Sequence, residues 1–279
     1  MRNNQRRVTP TRNRQASRHK PKPQPVLSYE VPTEFVALPS RGAFYPQDHP
    51  FHNKDSVEIR FMTTKEEDIL SSDSLIQEGI VIDRFLESIL VDDVDTESLL
   101  IGDRSAIMIA ARMSGYGPYY EAVITCPNCG SKSDMTFDLN EKTTRERCFD
   151  DQFMTDNDVH ISDDGLLEVV LPVSGLRVGF RMLTSLAQEE YANLLSDNKS
   201  NKMITSLLDL IIEKINDCED REQIQDVLQN IPAKDSRFLR TLYPKLVPTV
   251  DLKRDFECSK CLHSQEMEVP LTAAFFWPK

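Results

Sequence analysis

The chain contains two related segments far apart in sequence, Cys126-Pro-Asn-Cys129-Gly130 and Cys258-Ser-Lys-Cys261-Leu262. Both are Cys-x-x-Cys turns, and their flanking sequences also repeat at a constant offset of 132 residues. The positions that match are Ile124, Cys126, Cys129, Met135, Phe137 and Leu139 with Phe256, Cys258, Cys261, Met267, Val269 and Leu271. Because apolar residues alternate with polar ones around each turn, each copy predicts a strand, a tight turn and a second strand.

Two such turns that face each other supply four thiolates, which form the tetrahedral ligand set of structural Zn²⁺. The sequence therefore predicts a split zinc ribbon with residues 140–250 inserted into it. Its metal ligands are Cys126, Cys129, Cys258 and Cys261. Two unrelated turns, or a disulfide between them, are the alternatives. A redox Cys-x-x-Cys lacks its βαβ context here, and a catalytic zinc ion would need an open coordination position.

The remaining candidate metal ligands carry weaker patterns. His263 follows Cys261 closely and is interpreted as an outer or surface residue rather than a ligand. The pair His49-Pro-Phe-His52 lies in a turn-rich loop and is interpreted as incidental. Cys148 and Cys218 have no partner motif and are predicted to be core or surface thiols.

Charge is divided unevenly along the 279 residues. Residues 1–26 contain eight Lys and Arg residues and no acid, whereas the whole chain has a net charge of −12, so the remainder carries −20. The basic segment has too few apolar residues to bury a core, and residues 1–28 are predicted to be a disordered arm. Residues 2–22 either bind nucleic acid or another acidic surface, or are a solvated terminus; the second interpretation is favoured.

Composition and motifs exclude several classes of protein. No apolar run has the length of a membrane helix, and no signal peptide opens the chain. Six cysteines, four of them in metal-type pairs, indicate a reducing cytosol rather than a secreted disulfide scaffold. The sequence has no P-loop, G-x-G-x-x-G, nucleophile elbow or H-E-x-x-H motif, so a non-enzymatic protein is predicted.

Residues 34–46 combine turn chemistry with aromatic side chains. Pro39 fixes φ and Gly42 permits a positive φ, so a turn is predicted at this point. One interpretation is a strap that packs onto the core. The other is a partner-binding segment that presents Arg41 at a turn, with Phe44 and Tyr45 beside it.

Periodicity predicts several elements between this segment and the first Cys-x-x-Cys turn. Val57, Ile59 and Phe61 alternate with polar residues and predict a strand. Thr64-Lys-Glu-Glu67 predicts a capping box and a short helix through Leu70. Helices are predicted at about 79–91 and 103–113, with a solvated acidic loop at 92–97 between them.

The inserted region is predicted to be a mixture of strands and helices. Strands are predicted at 159–161, 166–171 and 176–181, with a hairpin turn at 172–175. A helix capped by Thr184 or Ser185 is predicted to carry Glu189 and Glu190. Further helices are predicted at 203–216, 220–229 and 233–243, after which Pro244 and Pro248 return the chain to the second turn.

Three aromatic residues lie together near the end of the chain: Phe275, Phe276 and Trp277. One interpretation is an anchor that closes the ribbon onto the core, because such side chains are usually buried. The other is a docking peptide, because Trp and Phe dominate interface hot spots.

These predictions define an α+β protein: a split four-cysteine zinc ribbon with a mixed helical/β insertion, helices on its N-terminal side and a disordered arm. The predicted regions are a basic arm (1–28), an N-terminal α+β region with the first zinc knuckle (29–139), an inserted hairpin and helical region (140–250), and a second knuckle with an aromatic C-terminus (251–279).

Several segments together resemble the T4-type bacteriophage baseplate family, the baseplate hub assembly proteins of contractile-tailed phages. They are Leu38-Pro-Ser-Arg-Gly-Ala-Phe-Tyr-Pro46, Arg60-Phe-Met-Thr-Thr64, Gly102-Asp-Arg104, Ala110-Ala-Arg112, Tyr116-Gly117, Cys126-Pro-Asn-Cys-Gly130 and Phe275-Phe-Trp-Pro278. The resemblance covers residues 34–139 and about the last twenty, and leaves the basic arm and the insertion unaccounted for.

The resemblance implies a non-enzymatic protein that helps to build the baseplate hub in the host cytoplasm, with hub or tail proteins as partners and a possible place in the tail baseplate of the virion. The rival hypothesis is a zinc-ribbon nucleic-acid or transcription factor that uses the basic arm. A charge of −20 on the rest of the chain repels a polyanion and weighs against that rival.

Overall fold

Helices and strands are mixed along the chain, which confirms the predicted α+β class. The computed structural model describes residues 29–140, 151–162, 164–188, 203–250, 253–269 and 273–276. The strands are β1 Thr33–Ala37, β2 Ser56–Arg60, β3 Tyr119–Thr125, β4 Lys132–Asp138, β5 His160–Ile161, β6 Leu167–Val170, β7 Arg177–Phe180, β8 Ile212–Ile215, β9 Lys253–Glu257 and β10 Ser264–Glu268. The helices are α1 Thr64–Leu70, α2 Asp73–Glu78, α3 Val81–Ile89, α4 Ile101–Tyr116, α5 Asp151–Asp156, α6 Met203–Ile211, α7 Arg221–Asn230 and α8 Ala233–Leu246.

Strands β1 and β2 form an antiparallel pair in which Thr33 lies opposite Arg60 and Ala37 opposite Ser56. The inward side chains of β2 are fully buried, as the alternation between residues 57 and 61 predicts. Two neighbouring residues of the segment between the strands, Arg41 and Gly42, have positive φ. A Cβ on Gly42 would lie 2.3 Å from a backbone oxygen, so only glycine fits this approach.

Helix α1 begins one residue earlier than predicted. Its N-cap is Thr63 rather than Thr64, and Glu66 completes the capping box by accepting a hydrogen bond from the Thr63 N–H at 2.9 Å. Two overlapping Thr-x-x-Glu patterns are present in the sequence. The register is decided by tertiary contact, because Glu66 also accepts a hydrogen bond from Ser88 on α3.

Helices α3 and α4 follow the predicted periodicity, whereas the six-residue α2 is an additional element that the pattern did not predict. Helix α3 buries Val81, Phe85, Leu86 and Ile89 along one face. Helix α4 extends from Ile101 to Tyr116, beyond the predicted 103–113 at both ends. The small-residue surface of α4 permits close packing: a Cβ on Gly102 would lie 2.1 Å from the Pro248 carbonyl oxygen.

The insertion contains an antiparallel sheet with strand order β5-β6-β7-β8, which confirms the predicted strands and the hairpin between β6 and β7. The buried carboxylate of Asp235, on α8, accepts the N–H groups of Val173 and Ser174 at 2.9 Å each. The hairpin turn is thereby fixed to a helix that follows about 60 residues later in the sequence.

The predicted helix at 203–216 is only partly right. Helix α6 ends at Ile211, and residues 212–215 form β8, which pairs with β7. Apolar residues with helical spacing fit both structures when the run is short. These residues form a strand because they pair with the edge of β7, where Phe180 lies opposite Ile212 and Val178 lies opposite Ile215.

Helices α7 and α8 confirm the two predicted near 220–229 and 233–243. Helix α8 continues to Leu246 and includes Pro244, which was expected to lie after its end. The insertion is joined to the N-terminal region by a backbone bridge between Leu100 and Thr184. The described residues from Val31 onward belong to one compact unit with a contiguous apolar core.

Candidate metal centre

The two Cys-x-x-Cys turns connect equivalent antiparallel hairpins. In the first hairpin Thr125 lies opposite Lys132, and in the second Glu257 lies opposite Ser264, so both pairings shift by 132 residues. The repeat detected in the sequence is therefore a repeat of structure, as predicted.

The turns also share their backbone hydrogen bonds. In the first turn Cys126 N–H donates to the Ser131 carbonyl at 2.8 Å, and Gly130 N–H donates to the Cys126 carbonyl at 2.9 Å. The second turn repeats both bonds, from Cys258 N–H to the His263 carbonyl and from Leu262 N–H to the Cys258 carbonyl, each at 2.9 Å. Gly130 and Leu262 occupy the same position with φ of +69° and +54°. Glycine adopts this conformation without strain, whereas leucine does so only at a cost.

The four sulfur atoms meet although they come from segments far apart in sequence. All four lie within 4.8 Å of one another, and two pairs from opposite turns, Cys126 with Cys261 and Cys129 with Cys258, are each 3.7 Å apart. Sulfurs held about 2.3 Å from a tetrahedral Zn²⁺ lie about 3.8 Å apart, whereas disulfide sulfurs are about 2.05 Å apart. All four cysteines are free thiols. Their spacing and chemistry fit a tetrahedral ion bound by four thiolates.

Burial differs within each pair. The first cysteine of each turn, Cys126 or Cys258, is buried, whereas Cys129 is exposed and Cys261 is half-buried. One edge of the sulfur cluster therefore faces the core and the other faces solvent. An ion can enter and a chelator can approach from the solvent side without opening the core.

Polar groups surround the sulfurs. The Ser131 hydroxyl lies 3.0 Å from Cys129 Sγ and 3.2 Å from Cys258 Sγ, and the Asn128 amide donates to Cys261 Sγ at 3.6 Å. The hydrogen bond from Ser131 is the main cause that lowers the pKa of the Cys258 thiol to about 5, and it also lowers the pKa of Cys129, whereas desolvation and the neighbouring sulfurs of Cys129 and Cys258 raise the pKa of Cys261 to about 11. A hydrogen bond to sulfur favours the thiolate, which is the form that binds metal.

Other histidines and cysteines do not join this group within the described ranges. His263 Nε2 lies 3.1 Å from the Gln265 side chain, and Cys218 donates to Gln223. His49 accepts the Phe51 N–H through Nδ1 and contacts Ser98 through Nε2, so its nitrogens are engaged. Cys148 lies outside the described residues. The four-cysteine group is the one cluster of three or more candidate ligands found in that part of the chain.

The acidic loop predicted at 92–97 contains a single helical turn, Thr96–Ser98, capped by the Asp95 carboxylate. Asp92 forms an ion pair with Lys54 at 2.9 Å. The loop borders an open cleft of about 590 Å³. Its carboxylates are not gathered into a cation site within the described residues.

A buried carboxylate that sequence analysis did not single out holds the strap in place. Asp103 accepts hydrogen bonds from Ser40 N–H at 3.0 Å, Ser40 Oγ at 2.5 Å and the Tyr45 hydroxyl at 2.9 Å. Burial raises the pKa of Asp103, and the donors from Ser40 and Tyr45 oppose that shift. The Tyr45 hydroxyl also accepts the Leu100 N–H at the start of α4. The strap and α4 are thereby joined through one carboxylate.

A buried guanidinium on α4, that of Arg112, holds the C-terminal segment in place by hydrogen bonds. Arg112 donates to the carbonyl oxygens of Phe275 at 3.0 Å, Gly117 at 2.9 Å and Tyr119 at 3.0 Å. It is about 1% exposed and lies over the Tyr116 ring. Several of the segments that carried the resemblance are thus joined to α4 or lie within it: the strap bonds to Asp103, and the Gly117 turn and the Phe275 segment bond to Arg112.

The chain matches the family described as T4 bacteriophage base plate protein over residues 34–277. The chain belongs to this family. No curated protein and no solved structure gives a significant match.

Membership makes the chain a phage baseplate structural protein, and the T4 base plate match extends further than expected. It includes residues 140–250, so the expectation that the resemblance leaves the insertion unaccounted for is wrong. The partners that membership implies are phage structural proteins in general. Among the described residues, no helix combines the length and apolarity needed to cross a membrane.

The predicted partner-contact residues of this base plate protein lie in different surroundings. Arg41 is exposed, whereas Phe44 and Tyr45 are buried at 7% and 2% exposure. Phe275 and Phe276 are fully buried and contact Tyr120 and Phe85 respectively, with ring centroids 4.9 and 4.5 Å apart. This burial is what the strap and anchor interpretations describe. Trp277 lies outside the described residues.

Proposed function

We propose that this base plate protein is a non-enzymatic assembly factor of the baseplate hub or tail, that it acts through protein–protein contacts, and that a structural zinc ion stabilises it. The observation that carries the zinc proposal is the meeting of four sulfurs from two repeated turns, all within 4.8 Å of one another and with two cross-turn pairs 3.7 Å apart. Family membership over residues 34–277 supports the baseplate role.

Zinc would connect segments that are distant in sequence. Binding to Cys126 and Cys261 closes a loop of 136 residues. A cross-link across such a loop lowers the free energy of the folded state relative to the unfolded chain by roughly 5 kcal/mol in the chain-entropy description. Metal binding and folding are thereby coupled, because the ligands are assembled only in the folded state.

Arg41 is the described residue of the proposed partner surface that the core leaves available. Arg41 is held at a positive φ between residues fixed to the core, and its side chain is exposed. We assign partner contacts to Arg41 and Trp277, and structural roles to the four buried aromatic residues. On this proposal the protein acts in the host cytoplasm during assembly and then resides in the tail baseplate.

A zinc-ribbon nucleic-acid protein that uses residues 2–22 is the less favoured alternative. Its cations would have to bind phosphates next to residues that carry a net charge of −20. Base plate membership also points to protein partners. A salt-sensitive gel shift that disappears when residues 1–26 are deleted would favour this alternative.

Metal analysis of the purified chain tests the zinc proposal. We expect about one zinc ion per chain, lost in Cys126→Ser and Cys258→Ser together with thermal stability. Cys218→Ser is the matched control, because Cys218 is a cysteine outside the cluster. A folded, stable wild-type chain without metal would overturn the proposal, and iron in place of zinc would overturn the identity of the ion.

Affinity capture from infected cells tests the assembly role. A tagged wild-type chain should recover tail and baseplate proteins, and Arg41→Ala should recover less of them. Arg240→Ala is the control, since Arg240 is an exposed arginine on α8. Recovery of polymerase or nucleic acid without baseplate proteins would contradict the role.

A further inference from the structure

We infer that Ser131 and Asn128 of the first Cys-x-x-Cys turn are positioning residues for the thiolates of the second turn. Ser131 Oγ lies 3.2 Å from Cys258 Sγ, and the Asn128 amide donates to Cys261 Sγ at 3.6 Å. Both contacts cross from one turn to the other. This inference rests on the proposed function, because it assumes that the four sulfurs hold a zinc ion.

The two turns are equivalent in backbone but not in these side chains. The residues of the second turn that correspond to Asn128 and Ser131 are Lys260 and His263. His263 Nε2 lies beside the Gln265 side chain instead of a sulfur. The polar side chains that bond sulfur across the interface therefore come from the first turn, and the second turn receives them.

The hydrogen bonds from Ser131 and Asn128 matter because the sulfur cluster concentrates negative charge. Four thiolates around Zn²⁺ carry a net charge of −2, and the surrounding chain outside residues 1–26 already carries −20. Hydrogen-bond donors spread the negative charge of the sulfurs and fix the direction of their lone pairs. Ser131 also lies 3.0 Å from Cys129 Sγ, so its hydroxyl is placed between one thiolate of each turn.

Loss of these donors should change the metal centre more than the fold. A partner that orients metal ligands contributes about 10–100-fold to metal affinity. Without the hydroxyl, the Cys129 and Cys258 thiolates are also more nucleophilic toward an alkylating reagent, because a hydrogen bond withdraws electron density from sulfur. A purely structural role for Ser131 would not alter the reactivity of the sulfurs in the zinc-loaded protein.

The test measures zinc transfer to a chromogenic chelator and alkylation of the thiolates by iodoacetamide in the full-length, zinc-loaded chain. Ser131→Ala is expected to weaken zinc binding about 10–100-fold and to speed alkylation of Cys129. Ser131→Thr keeps the hydroxyl and should restore both values to within about three-fold of the wild type. Ser264→Ala is the matched control, because Ser264 is an exposed serine beside the second turn.

Asn128→Ala provides a second variant if Ser131→Ala does not fold. It should speed zinc transfer to the chelator, and the Cys261 thiolate should react faster with iodoacetamide than it does in the wild type. If the wild-type chain holds zinc while both Ser131→Ala and Asn128→Ala transfer zinc and react with iodoacetamide at the wild-type rates, that result overturns the inference and leaves the proposed function intact. Wild-type chain that holds no zinc overturns both.

Discussion

Replacement of Arg112 by methionine should destabilise the protein strongly and release the C-terminal segment. The guanidinium is almost fully buried and gives three hydrogen bonds to backbone carbonyls. Methionine has a similar length but no donor, so all three oxygens lose their partner. Hydrogen bonds from a charged donor contribute about 1.5–3 kcal/mol each.

The net cost is smaller than the sum of these bonds. Burial lowers the pKa of Arg112, which reflects the free energy needed to remove the cation from water, and methionine avoids that penalty. We therefore expect the free energy of unfolding to fall by about 3–5 kcal/mol, because three carbonyl oxygens lose a donor at roughly 1–3 kcal/mol each and the avoided desolvation of the cation offsets part of that loss. A loss of this size is a large part of the roughly 5–15 kcal/mol that stabilises a typical domain.

Urea unfolding followed by circular dichroism measures the global effect, and limited proteolysis with mass spectrometry locates it. The Phe275 carbonyl loses its bond to Arg112, so cleavage near residues 273–276 should accelerate. Arg84→Met is the control, because Arg84 is 57% exposed and its ion pair with Glu87 should contribute less than about 1 kcal/mol. A variant at position 112 within about 1 kcal/mol of the wild type, with unchanged proteolysis, would refute this reasoning.

Three further predictions concern single side chains. Leu262→Gly should stabilise the protein by about 0.5–1 kcal/mol in urea unfolding, because glycine relieves the positive φ and the leucine is 74% exposed; a loss of stability would contradict this. Gly102→Ala should destabilise by about 2–3 kcal/mol, since overpacking against the Pro248 backbone outweighs the roughly 1 kcal/mol helix preference of alanine; a neutral result would show that the backbone yields. Asp235→Asn should cost about 1–2 kcal/mol at pH 7. Burial alone would raise the pKa of Asp235, but hydrogen bonds from Ser174 and Val173 lower it, so its stabilisation is present above the unfolded pKa of about 3.9 and is lost as the pH falls through the lower folded value. The stability difference between wild type and Asp235→Asn should therefore shrink in acid, and a difference independent of pH would contradict the assignment.

Local sequence patterns were reliable where a single periodicity applied. Strand β2, the paired hairpins and helix α3 lie where the alternation or helical spacing places them. The pattern was ambiguous where two structures satisfied it equally. Residues 203–216 fit a helix throughout, and only pairing with the edge of β7 makes residues 212–215 the strand β8. The same holds for the capping box, for which the sequence offers two registers.

The buried charges of the site were not predictable from spacing alone. Asp103 and Arg112 look like ordinary polar positions of a helix, yet both are fully buried because their partners come from other segments. The sequence feature that could have indicated this burial is the pair of motifs Gly102-Asp-Arg104 and Ala110-Ala-Arg112, since each places a charged residue beside small residues that permit close packing.

Two matched Cys-x-x-Cys hairpins that belong together could be read from the residues alone, because the repeat at 132 residues specifies equivalent backbone turns. Tertiary structure alone decided how the turns approach, with cross-turn sulfur contacts of 3.7 Å, and which polar groups serve the sulfurs. It also decided that Phe44, Tyr45, Phe275 and Phe276 are buried. The physical reason is that a local pattern fixes backbone geometry and the direction of a side chain, whereas its environment depends on segments that only folding brings together.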